Sequence, residues 1–148
     1  MRPWVYAAGL AIAGCSTSQR VAPSGPDTGV AFTELNEAAK AACQWIWDHE
    51  PKAQIWEYCG TLYEGEGGIR VGLPITQNGG KCGTAYGPPL PPDGAKLLGR
   101  YHSHRFTAEP SIRDLTIAER YPTIGHFLCA PSRIVRRFGT KEGTVIVP

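Results

Sequence analysis

The chain has 148 residues, 42% of them hydrophobic, which is enough for one domain with a buried core. Its formal net charge is only +2, and its cations are scattered apart from Arg133, Arg136 and Arg137. We interpret that small group as the solvated face of a strand. The charge pattern argues against nucleic acid as a partner, because such binding needs concentrated positive charge.

The first segment, residues 1–14, has the features of an export signal. Arg2 carries positive charge, and the apolar residues 4–12 are too few to span a bilayer as a mature helix. The segment leads into the sequence IAGC at residues 12–15, which resembles the lipobox of bacterial lipoprotein signal peptides. This resemblance implies cleavage before Cys15 and a lipid on that cysteine. An ordinary cleaved signal or a buried apolar segment is the alternative.

Residues 15–31 are rich in Ser, Thr, Pro and Gly, and they predict a flexible tether after the lipidated Cys15. In Gram-negative lipoproteins an Asp after the cysteine tends to retain the protein at the inner membrane. The resemblance therefore implies that Ser16 favours the outer membrane. We expect the domain of residues 32–148 to be anchored in the bacterial cell envelope and to face the periplasm.

Four cysteines remain once Cys15 is assigned to the lipid, and export makes an oxidising compartment their expected environment. An even number of cysteines there predicts two disulfides among Cys43, Cys59, Cys82 and Cys129. Three pairings are possible, and the sequence does not choose between them. A cysteine-based zinc site is the alternative, but no Cys-x-x-Cys spacing is present.

The first predicted helix runs from Thr33, which can cap it, to about His49. Pro51 ends it, and we interpret His49 as a helix-end residue rather than a metal ligand. Small and apolar side chains recur at helical spacing on one face: Leu35, Ala38, Ala39, Ala42, Cys43 and Ile46.

A hairpin is predicted next, with strands at residues 54–63 and 69–75. Glu57 is the unusual residue of this hairpin, because carboxylates are rarely buried within strands. One interpretation is a solvent-facing residue on an edge strand. The other is a general base for hydrolysis, if Glu57 lies opposite the histidines described next.

Three residues further along predict a metal site. His102 and His104 follow a predicted strand at residues 96–100, so alternation places both imidazoles on one face, with Ser103 turned away. Asp114 falls in the first turn of a second predicted helix, capped by Ser111, with an expected apolar stripe of Ile112, Leu115 and Ala118. Two histidines and a carboxylate are the ligand set of a catalytic zinc.

The histidine pair and the Ser111–Asp114 spacing each have an alternative interpretation that needs no metal. Ser-x-x-Asp before an apolar run is close to a capping box, and paired histidines can be ordinary polar surface.

Strands are predicted at residues 125–129, 133–138 and 144–147 in the remainder of the chain. His126 in the first of them alternates with apolar residues, so we interpret it as a packed or edge histidine.

Three short motifs together resemble a known family. They are EYCGTL at residues 57–62, HSH at residues 102–104 and S-x-x-D at residues 111–114. This set is similar to that of the JAB/MPN (JAMM) metalloprotease superfamily, and nearest to the uncharacterised bacterial branch at the ends of RHS-repeat toxins. The resemblance covers residues 33–148. It implies an α+β, cytidine-deaminase-like fold in which helices flank a curved β-sheet.

The resemblance also implies roles for individual residues. His102, His104 and Asp114 would hold one Zn²⁺ per chain, Glu57 would be the general base, and Ser111 would stabilise the oxyanion. Six residues separate His104 from Ser111, where the better-known members have seven. The long Gly- and Pro-rich segment 77–96 would be an insertion that shapes substrate access, or else a surface loop pinned by its cysteine.

The implied activity is hydrolysis of a peptide or isopeptide bond in an unidentified peptide or protein substrate. The ubiquitin-like substrates of the better-known members do not carry over to an exported lipoprotein. A rival hypothesis is a non-catalytic lipoprotein of the same fold that acts as an interaction module or as part of a toxin system. A metal-dependent nuclease is a third possibility, disfavoured by the absence of a basic groove in the sequence.

Overall fold

The computed structural model describes residues 27–77, 79–82 and 89–148. The predictions for Cys15, for the signal segment and for residues 16–26 of the tether lie outside these residues, as does part of the segment 77–96. Within the described ranges, no helix has both the length and the apolar character needed to cross a membrane.

The described chain forms a mixed α and β structure, in agreement with the predicted α+β class. In chain order its elements are β1 (Asp27–Phe32), α1 (Leu35–His49), β2 (Cys59–Gly65), β3 (Gly68–Gly72), β4 (Leu97–Ser103), α2 (Ile112–Arg120), β5 (Gly125–Cys129), β6 (Val135–Thr140) and β7 (Gly143–Ile146).

The strands form one sheet in the order β1-β3-β2-β4-β5-β6-β7. Every neighbouring pair is antiparallel except β4 and β5, which are parallel. The connection between these two strands contains α2, as a parallel pair requires a crossover. Because β4 lies at the centre of the sheet, side chains at its C-terminal end can contact residues near the start of β2. They can also contact residues in the first turn of α2.

The main hydrophobic core lies between α1 and one face of the sheet. The predicted stripe of α1 is buried there, with Ala38, Ala39, Ala42 and Ile46 fully inaccessible to solvent. The prediction that Thr33 caps this helix is wrong. The N-cap position is Glu34, whose side chain makes no capping hydrogen bond. The energy of packing an apolar face, rather than a cap, therefore fixes where α1 lies.

The first predicted hairpin strand begins later than expected. Residues 51–56 form turns, in which the N–H groups of Ile55 and Trp56 both donate to the carbonyl of Lys52. Glu57 therefore lies between this turn and β2, not inside a strand as predicted. The returning strand also ends earlier than predicted, at Gly72.

The tether predicted through residue 31 is wrong for its last five residues, since these belong to β1. This edge strand pairs with β3 alone. The Asp27 carboxylate fixes it by accepting hydrogen bonds from the Arg70 guanidinium at 2.7 and 3.0 Å. Amino-acid composition alone does not reveal a strand such as β1, because an edge strand with few apolar residues has the composition of a linker.

The apolar stripe predicted for α2 is wrong in two of its three positions. Ile112 is 85% exposed and Leu115 is 38% exposed, whereas Ala118 is fully buried. The face turned to the sheet contains Asp114, Ile117 and Ala118 instead. Ala118 packs in a small second cluster with Leu128 and Phe138. Thus α2 presents a carboxylate to the sheet alongside its few apolar contacts.

Candidate metal centre

Alternation along β4 divides its side chains between the two faces of the sheet. Tyr101 and Ser103 are buried on the side of α1, where the Tyr101 hydroxyl donates to the carbonyl of Gly72. Arg100 and His102 point to the other face, towards α2. His104 follows the end of β4 and continues its pairing with β5 through a hydrogen bond to the Cys129 carbonyl. The two imidazoles therefore meet on one face.

The start of α2 places a carboxylate beside these imidazoles. The Ser111 hydroxyl accepts from the Asp114 N–H at 3.2 Å, and the Asp114 carboxylate accepts from the Ser111 N–H at 2.8 Å. This reciprocal capping box was the alternative to a metal site at the sequence level. The structure shows that the two are compatible, because the box fixes Asp114 while the same carboxylate faces both histidines.

The pairwise distances within this group are close to those between neighbouring ligands of a small tetrahedral cation. Nε2 of His102 lies 3.2 Å from Nε2 of His104 and 3.3 Å from Oδ1 of Asp114, while Nε2 of His104 lies 3.3 Å from Oδ2 of the same carboxylate. Ligands about 2.0–2.1 Å from a tetrahedral centre are about 3.3–3.4 Å apart, which is the length of the tetrahedron's edge. Each imidazole–carboxylate pair therefore has the separation of two zinc ligands. With one ligand atom taken from each residue, the three atoms lie within 4.8 Å of one another, so His102, His104 and Asp114 could hold a metal ion.

Electrostatics keep the Asp114 carboxyl in its anionic form. Burial alone would raise the pKa of Asp114, because a low dielectric disfavours charge. Hydrogen bonds from His102, His104 and Ser111 outweigh burial and hold the pKa of Asp114 well below its usual range. An ionised carboxylate facing two imidazole nitrogens is the protonation state that a cation needs.

Glu57 lies in the same cavity as this group, although outside the three-residue cluster of ligand atoms. The cavity has a volume of about 350 Å³, and both Glu57 and the three possible metal ligands line it. Its carboxylate is 4.0 Å from Nε of Arg105. The Glu57 side chain can therefore contact a molecule bound in the cavity. It does not belong to the group of possible metal ligands.

Ser103 connects Glu57 to the histidines from the opposite face. Its hydroxyl accepts a hydrogen bond from the N–H of Tyr58 at 3.0 Å, and its own N–H donates to the Tyr58 carbonyl at 2.8 Å. These two bonds extend the ladder between β2 and β4 beyond Cys59, which pairs with His102. They hold the backbone that carries Glu57 against the backbone that carries both imidazoles.

Both expected disulfides are present among the described residues. Cys43 joins Cys129, which ties α1 to β5, and Cys59 joins Cys82. The second of these is part of the site, because Cys59 and Cys82 both line the cavity. It holds the start of the long segment 77–96 beside His102. The predicted pinning of that segment by Cys82 therefore occurs at the cavity itself.

The two remaining histidines lie outside the metal group, as expected. His49 stacks on Trp45 at the end of α1, and His126 is buried in β5 with Nε2 3.0 Å from the carbonyl of Tyr121. Burial lowers the pKa of His126.

Sequence reasoning missed Arg100, which also lines the cavity. The signal was available, because Arg100 precedes His102 by two residues and shares its face.

Comparison of the chain with models of protein families, with curated proteins and with solved structures finds no match in any of the three.

Proposed function

We propose that this protein is a membrane-tethered, zinc-dependent hydrolase of peptide or isopeptide bonds, with a JAB/MPN-like fold and active site. One observation carries the proposal. Two imidazoles and a carboxylate present ligand atoms within 4.8 Å of one another, and a second carboxylate, Glu57, lines the same cavity. The similarity of the motif set to that family supports the same assignment.

The donor set favours zinc over magnesium and calcium. Zinc accepts imidazole and carboxylate ligands together, whereas Mg²⁺ and Ca²⁺ prefer oxygen ligands alone. Three protein ligands leave one position of a tetrahedron open, as in catalytic rather than structural zinc sites. When bound, zinc would supply Lewis-acid chemistry by polarising a carbonyl group and lowering the pKa of water.

The chain's own side chains have distinct tasks in this proposal. Glu57 accepts a proton from the attacking water and later delivers it to the leaving amine, as a positioned general base and acid. Nε of Arg105 lies 4.0 Å from this carboxylate, so a guanidinium stands beside the proposed proton acceptor. In the structure the Ser111 hydroxyl donates to Asp114 at 2.6 Å. The Ser111 hydroxyl therefore orients Asp114 as a metal ligand. This task comes in addition to its proposed role of stabilising the oxyanion.

The proposed location rests on the sequence before residue 27. A lipid on Cys15 would anchor the domain to the outer membrane, facing the periplasm. Two disulfides within the domain support an oxidising compartment, because such bonds rarely persist in the cytosol.

The proposal is tested by hydrolysis of peptide libraries with the zinc-loaded full chain and its Glu57→Gln variant. We expect turnover to fall by about 10²–10⁴-fold in the variant, which loses the proton acceptor but keeps the shape of the side chain. Zinc content should stay at the parental value, because Glu57 is not a ligand. Equal turnover by parent and variant, on any substrate found, would refute the mechanism.

A second candidate function is a non-catalytic interaction module, and exposed apolar side chains beside the cavity favour it. Phe106, which lines the cavity, is 82% exposed, and Ile112 is 85% exposed. Apolar surface of this kind is typical of sites that contact other proteins. Capture of a stable partner without any peptide turnover, abolished by Phe106→Ser, would favour the module over the hydrolase.

A further inference from the structure

Arg100 occupies an unusual position for a charged side chain. It lies on the central strand β4, shares the face of His102, and lines the cavity together with all three possible metal ligands. Two of its nitrogens, Nε and Nη1, are inaccessible to solvent and form no hydrogen bond within the described structure. Buried donors without acceptors are rare, because each loses its hydration without replacement.

No acidic group of the chain forms an ion pair with Arg100. All 13 Asp and Glu residues lie in the described ranges, and none of the ion pairs found there includes Arg100. The guanidinium instead lies over the Tyr121 ring, 5.1 Å from its centre. By contrast Arg105, which also lines the cavity, faces Glu57 and donates to the Ile55 carbonyl. A partly buried cation without an anion is destabilising unless a ligand supplies one.

We propose that Arg100 binds a carboxylate of the substrate, within one or two residues of the bond that is hydrolysed. Two residues along a strand place Arg100 about 7 Å from His102. A peptide spans about 3.5 Å per residue, so the carboxylate and the scissile carbonyl can occupy the two positions together. Guanidinium groups bind carboxylates through two parallel hydrogen bonds, and a small rotation of the Arg100 side chain would bring its enclosed donors to such a group in the cavity.

This inference deepens the proposed function and rests on it for the identity of the ligand as substrate. The carboxylate has two possible sources, the C-terminus of a short peptide or an acidic side chain. Three probes separate them: acetyl-alanyl-alanine, its C-terminal amide, and acetyl-alanyl-glutamic acid amide. The first carries only a terminal carboxylate, the second carries none, and the third carries only a side-chain carboxylate.

Binding of the three probes is measured by NMR titration of the full chain at low salt, first without metal and then with zinc. We expect at least one of the two acids to bind about tenfold or more tighter than the neutral amide, as for a charge-assisted pair. Arg100→Met should abolish this preference, and Arg100→Lys should restore only part of it, because Lys lacks the planar fork. Arg133→Met removes a surface arginine outside the cavity, so it should keep the parental preference.

Two readouts separate this proposal from its alternatives. Zinc content should be unchanged in Arg100→Met, so a failure of carboxylate binding is distinct from a failure of the metal site. The melting temperature of Arg100→Met should be equal to or above that of the parent, because an uncompensated cation is removed. Equal binding of acids and amide by the parent, or no binding of any probe, would overturn the proposal. A lowered melting temperature with an unchanged carboxylate preference would do the same by assigning Arg100 a structural role.

Discussion

The two faces of the central sheet have opposite chemistry, although the same strands build both. The face under α1 is apolar and contains the main core, with Phe127 and Tyr101 fully buried and Cys43 bonded to Cys129. Among the described residues, the buried apolar cluster on the α2 side has three members. This side also contributes ionisable side chains to the cavity: Arg100, His102, His104, Asp114 and His126.

This difference shows how a small domain can accommodate a polar site without losing its stability. Alternation along β4 gives every second side chain to each face, so the histidines need not interrupt the core. Close contacts on the α1 side tighten that core. At Gly60, for example, a side-chain Cβ would overlap the Tyr101 ring. Substitutions on the α1 face should therefore change stability, and substitutions on the α2 face should change ligand binding.

The largest expected effect is loss of the disulfide on the α1 face. Replacing Cys43 and Cys129 together with Ala should lower the free energy of unfolding by about 4 kcal/mol, because the bond closes a long loop of the unfolded chain. The two residues are 86 positions apart. Zinc binding by the folded fraction should not change. Urea denaturation and zinc titration measure the two quantities.

The Cys59–Cys82 disulfide sharpens this test, because it closes a loop of only 23 positions and lies on the α2 face. Its removal should cost about 3 kcal/mol and should also weaken zinc binding. If both double variants affected zinc binding equally, the division between the two faces would be contradicted.

A smaller effect is expected for Asp114→Asn on the α2 face. Zinc affinity should fall by about 100-fold, since an amide is a far weaker ligand than a carboxylate. Stability without metal should also fall, because Asn still accepts hydrogen bonds from Ser111 but does not replace the carboxylate charge beside His102 and His104. Isothermal titration of zinc and thermal unfolding of the metal-free protein give the two values. Glu119→Gln makes the same charge change on the exposed side of α2 and should leave zinc affinity intact.

Ser103→Ala tests a residue that joins the two faces. Its hydroxyl is buried on the α1 side and holds the Tyr58 backbone, which carries Glu57. The variant should lose about 1–2 kcal/mol of stability, because the Tyr58 N–H is left without its acceptor. Turnover should fall while zinc content stays constant, since Glu57 is less firmly positioned. Denaturant titration compares it with Ser132→Ala, an exposed position where stability should not change.

The smallest effect is expected at the sheet edge, outside both faces. The hydrogen bond from Arg70 holds the pKa of Asp27 below its ordinary value of 3.8. A lowered folded-state pKa contributes stability that is complete above the unfolded value and is lost as the pH falls towards the folded value. Asp27→Asn should therefore lose about 1 kcal/mol or less at pH 7 and a smaller amount at pH 2, measured by urea denaturation. The same loss at both pH values would contradict this assignment.

Short-range sequence patterns predicted much of the site and of its supporting elements. His102 and His104 at i and i+2, the Ser111–Asp114 spacing and the stripe of α1 are all local patterns, and each lies where its spacing indicates. The contacts of other residues depend on tertiary structure and cannot be read from local spacing. The pairing of four cysteines, the inward face of α2 and the missing partner of Arg100 are set by which elements meet across the sheet. The start of β2 was missed because Ile55 and Trp56, which favour strands, lie in the turn before it.

The central claim is that the α2 face holds a zinc ion, and elemental analysis of the full chain tests it most directly. The protein is purified in detergent without chelator, beside a His102→Ala/His104→Ala double variant and a His49→Ala control. We predict about one zinc per chain in the parent and in the control, and none in the double variant. No zinc in the parent after zinc is supplied, or equal zinc in the double variant, would contradict the account and leave the histidines without a metal role.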